Sequence, residues 1–125
     1  RTVRNGWIID HATELLADQY IEQQDYQLAM SLLDNQPGSP KYMISMAKIY
    51  HAQQSQQKAR SHFEKAFELA RLQYKPHIAI DSALMLFQLT AQEPEVQAEY
   101  LDYLQRFANK DWLEKRMDLL TNSAH

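Results

Sequence analysis

The chain has no cysteine, only two glycines and four prolines, and no long apolar run among its 125 residues. Without cysteine it forms neither disulfides nor thiolate metal sites, and this absence fits a reducing cytoplasm and an oxidising periplasm equally. Its apolar runs fall far short of the roughly 20 residues that cross a bilayer, and no signal segment opens the chain. We therefore expect a soluble protein without membrane contact, in the cytoplasm, with the periplasm left open.

The scarcity of helix breakers indicates an all-α protein. Ala, Leu, Gln, Glu and Lys fill the stretches between the few glycines and prolines, and no strand can be placed. The length suits one domain, residues 1–125, with a packed core. Because the chain begins at Arg1 rather than Met, we expect it to be a piece of a larger protein or a processed form.

Start and stop signals divide the chain into about seven amphipathic helices with short connections. The first is predicted from near Gly6 to Glu22, the second ends within 35–38, the third near Gln53 and the fourth near Tyr74. The expected N-terminal caps and first-turn prolines of the later helices are Asp25, Ser39 with Pro40, Ser55, Pro76, Pro94, and Asn109 or Asp111.

An internal repeat is the most informative feature of the sequence. Four positions recur 30 residues later, namely Ala17 at Ala47, Tyr20 at Tyr50, Ala29 at Ala59, and Leu33 at Phe63. A small residue one turn before a Tyr, facing an Ala on the next helix, lets two antiparallel helices approach closely. One such hairpin cannot bury its apolar face alone, so the pattern predicts stacked hairpins.

These residues, with Ala66 further along the second unit, resemble the tetratricopeptide repeat family. The match covers residues 13–36 and 43–70. The resemblance implies antiparallel hairpins stacked as a short right-handed superhelix. Its units would be about 10–38, 40–75 and a degenerate 76–108, with 109–125 as a capping helix. The elongated helices also resemble sensor or docking domains of bacterial transcription and signalling regulators.

In the family, the first helix of each pair lines a concave groove that holds peptide segments. Carried over to this chain, the groove residues would be His11, Glu14, Asp18, Glu22, Lys41, Ile44, Lys48, His51, Ala79, Ser82, Leu86 and Leu89. The family's clamp for a C-terminal carboxylate uses Lys and Asn where this chain has Glu14 and Asp18, which disfavours that ligand. An alternative is that residues 1–7, or another copy of the domain, fill the groove.

Residues able to carry catalysis or bind a metal are few, and we expect no catalytic residue, metal or cofactor. Asp10, His11 and Glu14 form the nearest candidate group, but acids at a solvated helix N-terminus explain them better. His51 and His62 miss the four-residue spacing of a helical metal pair and are interpreted as surface residues. Tyr and Met residues repeat at helical spacing and are assigned mainly to the core.

The net charge of −3 conceals three blocks of alternating sign. Residues 1–40 carry two basic and six acidic side chains, 41–75 seven and two, and 76–125 four and eight. The basic block suggests phosphate binding. The domain as a whole is negatively charged, however, and acidic blocks flank the basic one, which favours contacts of the basic block with neighbouring repeats or with an acidic partner. Nucleic acid is therefore not the expected partner.

The sequence favours a non-enzymatic domain that docks a protein or peptide, or self-associates, within a larger bacterial regulatory or assembly protein. The alternative is an effector domain that binds a small molecule between helices. A polar cluster enclosed by aromatic side chains would indicate that alternative.

Overall fold

The computed structural model describes the backbone of residues 3–33 and 38–123, and the side chains of residues 12–33 and 38–119. Over this part of the chain seven helices and no strand are present. The helices are α1 (Val3–Glu22), α2 (Tyr26–Leu33), α3 (Pro40–Ala52), α4 (Gln56–Leu72), α5 (Pro76–Leu89), α6 (Pro94–Phe107) and α7 (Lys110–Ser123). The prediction of an all-α fold with about seven helices is confirmed.

The helices begin close to the predicted signals, although their caps differ in detail. Ser39 Oγ accepts a hydrogen bond from the Tyr42 amide at 3.0 Å, and Asn109 Oδ1 accepts one from the Trp112 amide at 3.0 Å. Ser55 is the N-cap residue of α4, as predicted, but its side chain makes no capping hydrogen bond. α1 begins before Gly6, since one glycine weakens a helix without ending it.

Consecutive helices pack as pairs because turns of only a few residues reverse the chain between them. α1 packs on α2, α3 on α4 and α5 on α6, and α4 packs in turn on α5. The first helices of successive pairs also touch, α1 with α3 and α3 with α5. The backbones of α4 and α6, both described in full, do not come into close contact.

The core consists of two clusters that share α3. The larger runs from α3 to α7 around Phe63, Leu86 and Leu104, and the smaller joins Ala29 of α2 to Met46 and Ile49. The repeat residues divide into two groups. Tyr20 and Tyr50 are partly exposed, and the remainder are buried: Ala17, Ala29, Leu33, Ala47, Ala59, Phe63 and Ala66. The alanines therefore occupy the closely packed positions between helices.

Candidate functional site: a cleft between α4 and α6

The groove expected along α1, α3 and α5 is not continuous at the surface. Ile44 is 2% exposed and Leu86 0%, and both belong to the large core cluster, so their assignment to a groove surface is wrong. Ala79 and Ser82 are likewise fully buried, and no described group bonds the Ser82 hydroxyl. The reason is that α3 and α5 touch, which places these faces between two helices.

The other residues of the expected groove whose side chains are described retain some exposure to solvent. Glu22 is exposed. The remaining ones are partly buried: Glu14, Asp18, Lys41, Lys48, His51 and Leu89. Asp10 and His11 lie in α1, but their side chains are outside the described residues. The side chains of residues 1–7, the alternative groove filler, are outside them too.

Two ion pairs join the charge blocks across helices. Lys41 Nζ donates to Asp18 Oδ2 at 2.9 Å, linking α3 to α1. Arg60 Nη1 and Nη2 donate to the two carboxylate oxygens of Glu93, the second bond being 3.1 Å long, and this pair links α4 to the start of α6. The basic block thus holds the acidic blocks on either side of it, which is one of the two roles the sequence suggested.

The histidines considered as ligands make ordinary local contacts. His51 Nδ1 lies 3.2 Å from Gln56 Oε1, and His62 Nδ1 lies 2.9 Å from the Lys58 carbonyl oxygen. The His62 ring packs on Tyr50 with centroids 5.0 Å apart. Within the described ranges, no group of three or more His, Cys, Asp or Glu side chains is arranged to hold a metal.

A concave surface lies instead between the second helices of two pairs. We call it the α4–α6 cleft, an open space of about 860 Å³. Its lining comprises Glu64, Phe67, Glu68 and Arg71 from α4, and Val96, Ala98, Glu99, Tyr100, Asp102, Tyr103, Arg106 and Phe107 from α6. The cleft exists because α4 and α6 each pack on α5 while their own backbones stay apart, so that only side chains meet between them.

Aromatic side chains bridge the base of the cleft. The Phe67 ring meets Tyr100 and Tyr103 edge to face, with centroid separations of 5.5 and 4.9 Å, which is a favourable geometry for aromatic pairs. Phe107 continues the row 4.6 Å beyond Tyr103 and is 61% exposed. The row therefore begins in the core and ends in solvent.

Charged groups surround these rings. The Arg71 guanidinium lies 5.0 Å from the Phe67 centroid and 5.7 Å from that of Tyr103, within the range of cation–π attraction. Burial raises the pKa of Tyr100, and the carboxylate of Glu64 adds to the increase. Burial also raises the pKa of Tyr103, an effect that Arg71 partly offsets. Both tyrosines are thus neutral hydrogen-bonding groups at neutral pH.

Sequence reasoning missed this cleft, although α6 carries a signal for it. Tyr100, Tyr103 and Phe107 follow Val96 at intervals of four, three and four residues, which places them on one helical face. A second apolar stripe contains the core residue Leu104. A helix that packs against a core on one side needs only one apolar stripe, so a second stripe indicates a further contact surface. Tyr100 and Tyr103 do pack against the large core cluster, and the assignment of tyrosines mainly to the core did not reveal that the same stripe continues to the exposed Phe107.

These features define the class of the protein as an all-α array of paired helices with an open aromatic cleft between second helices. Searches against protein-family models, curated proteins and solved structures matched nothing to this chain. The tetratricopeptide resemblance therefore rests on the repeat residues of the sequence. Among the described residues, no helix combines the length and apolar character needed to cross a bilayer.

Proposed function

We propose that this chain is a protein-interaction domain, a degenerate relative of the tetratricopeptide repeats, that docks a segment of another protein in the α4–α6 cleft. The observation that supports it most is the aromatic row ending in Phe107, a large apolar ring left 61% exposed beside charged side chains. Exposed aromatic residues in a concave surface with a polar rim are typical of protein-binding sites. The parent protein would be a bacterial regulatory or assembly protein, on the strength of the sequence resemblance.

The alternative of a small-molecule sensor has some support, because the cleft combines aromatic rings with charged groups. Small-molecule sites, however, generally enclose most of the ligand surface. Here Glu68, Arg71, Glu99 and Phe107 are all exposed at the rim. An open cleft along two helices suits a peptide chain better than a compact ligand.

Site-specific photo-crosslinking in the native cells tests the proposal. A benzophenone amino acid would replace Phe107 in the cleft, Lys48 in the groove expected from the sequence, or Leu119 on α7. Leu119 is the matched control because it is 58% exposed and lies outside the cleft. We expect one protein to be cross-linked from Phe107 and not from Leu119, identified by mass spectrometry.

The other outcomes assign the function differently. Cross-linking from Lys48 alone would move the docking site to the groove between first helices, and equal labelling from all three positions would contradict a defined site. An absence of protein cross-links together with thermal stabilisation by a metabolite mixture would favour the small-molecule sensor.

Charge reversal provides a second comparison. Lys48→Glu tests the sequence-predicted groove more cleanly than Lys41→Glu, because Lys41 is held by Asp18 and its reversal also breaks that ion pair. Lys65→Glu is the better control, since Lys58 lies 5.6 Å from the Tyr50 ring centroid. If the partner protein docks in the α4–α6 cleft, we expect Lys48→Glu to leave its affinity for this chain unchanged.

A further inference from the structure

The charges that line the α4–α6 cleft are unbalanced. Its lining carries four carboxylates, from Glu64, Glu68, Glu99 and Asp102, and two guanidinium groups, from Arg71 and Arg106. Arg106 Nε is 3.0 Å from Asp102 Oδ2, and Glu64 Oε2 is 3.2 Å from Arg60 Nε. The two remaining carboxylates have no cation within ion-pair distance among the residues that the structure describes. The cleft therefore presents Glu68 and Glu99 to whatever binds there.

The aromatic rings show how a cation is accommodated. Arg71 lies over two rings of the row without an ion pair to any described carboxylate. A planar cation is therefore compatible with these ring faces. Phe107, at the exposed end of the row, offers the same kind of surface and has no guanidinium placed over it among the described groups.

On this basis we propose that the α4–α6 cleft binds a cationic segment of a partner protein, one in which arginine or lysine residues alternate with large apolar residues. The proposal rests on the proposed function and specifies the chemistry of the partner. Positive side chains would pair with Glu68 and Glu99, and apolar ones would cover Phe107. Acidic peptides, nucleic acid and anionic lipid would be repelled by the same carboxylates.

The dimensions of the cleft set the length of the segment. On α6 the lining runs from Val96 to Phe107, about 16 Å at 1.5 Å of rise per residue. This length accommodates about five extended residues or three helical turns. A peptide of 12 residues is therefore long enough to test either conformation.

Selection from a random 12-residue phage-display library on the whole chain tests the proposal without a known partner. Selected peptides are synthesised, and their affinities for the wild type, Phe107→Ala and the control Leu119→Ala are measured by fluorescence anisotropy. Peptides that lose at least fivefold in affinity with Phe107→Ala but not with Leu119→Ala are cleft-dependent. We expect these peptides to be enriched in Arg or Lys together with Trp, Phe or Leu.

The charge contribution is then measured with Glu68→Gln/Glu99→Gln and a matched control, Glu114→Gln/Asp118→Asn, which removes two exposed carboxylates of α7. We expect the cleft pair to weaken cationic peptides about three- to tenfold and the α7 pair to have little effect. Because all four positions are exposed, folding is retained in both variants, as checked by circular dichroism.

The outcomes separate the two proposals. Cleft-dependent peptides that are neutral or acidic would overturn the cationic partner and leave the protein-interaction function standing. A library that yields no cleft-dependent peptide would overturn docking in this cleft altogether. If the chain alone forms a dimer by light scattering and Glu68→Gln/Glu99→Gln dissociates it, the occupant is a second copy and the separate partner is excluded.

Discussion

Within the described backbone, three residues other than glycine adopt left-handed conformations at helix ends. Gln24, Gln54 and Tyr74 have φ values of 65°, 64° and 57°. In each turn the next amide donates to a carbonyl five residues earlier, as Ser55 does to Tyr50 at 2.9 Å. This bond is typical of the Schellman C-cap, whose left-handed position is usually glycine. Gln24 and Gln54 lie 30 residues apart, so the repeat includes its turn as well as its helices.

Replacing Gln54 with glycine should therefore stabilise the protein. Glycine adopts positive φ without the steric cost that a Cβ imposes, and this gain outweighs the added entropy of the unfolded chain. We expect the free energy of unfolding in urea to rise by about 0.5 to 1 kcal/mol. The matched control is Gln53→Gly, because Gln53 has φ of −88° and gains nothing from glycine. Equal effects at both positions would contradict this explanation.

At the scale of helices, local signals account for where each element begins, and small residues account for how the elements pair. Pro76 and Pro94 open α5 and α6, where a missing amide hydrogen costs nothing. Within the α3–α4 hairpin, Ala47 and Ala59 are both 0% exposed. Their small size lets the helices approach, and the core then closes around Phe63.

Enlarging either alanine should disrupt this hairpin. We expect Ala47→Leu and Ala59→Leu each to lower the free energy of unfolding by about 1 to 3 kcal/mol, because an extra side chain must be accommodated in a packed interface. Ala52→Leu is the control, since Ala52 is exposed at the end of α3. Denaturant unfolding followed by circular dichroism measures all three variants. Unchanged stability of both buried variants would show that the hairpin alignment is wrong.

At the scale of the whole molecule, the alternating charge blocks connect successive helix pairs. Hydrogen bonds from Arg60 lower the pKa of Glu93, and the bonds to Glu93 and then Glu64 raise the pKa of Arg60. A carboxyl group whose pKa is lowered by folding stabilises the folded state above its unfolded pKa. That contribution is lost as the pH falls through the folded pKa. The ion pair between α4 and the residue that precedes α6 is therefore sensitive to acid.

Removal of the Arg60–Glu93 ion pair should therefore change how the stability of the protein depends on pH. At pH 7 Arg60→Gln/Glu93→Gln should be less stable than the wild type. The difference should shrink as the pH falls below the usual range of a glutamate and through the lowered pKa of Glu93, because protonation of Glu93 removes its charge. Urea unfolding at pH 7, 5 and 3.5 measures the free energy of unfolding of both proteins. The control is Lys65→Gln/Glu114→Gln, which also removes one positive and one negative charge, but from exposed positions on α4 and α7. A difference between the wild type and Arg60→Gln/Glu93→Gln that stays constant with pH would exclude the ion pair as its source.

Much of the fold could be predicted from the residues because its signals are local. Caps and first-turn prolines act within a single helix, and the 30-residue repeat reflects contacts between helices that follow each other in the chain. The candidate site could not be predicted in the same way. The groove residues Ile44 and Leu86 were placed by family pattern, and their burial depends on how closely α3 meets α5.

The sequence by itself determined the all-α class, the helix starts and the paired small residues, since these follow from backbone hydrogen bonding and apolar periodicity within short stretches. Only the tertiary structure decided that Tyr100 and Tyr103 of α6 both pack against the core and line the cleft, and that Phe107 is left exposed. It also decided that Arg60 reaches Glu93, 33 residues away in sequence. The physical reason is that both outcomes depend on the angles and separations between helices, which arise when all the pairs pack together.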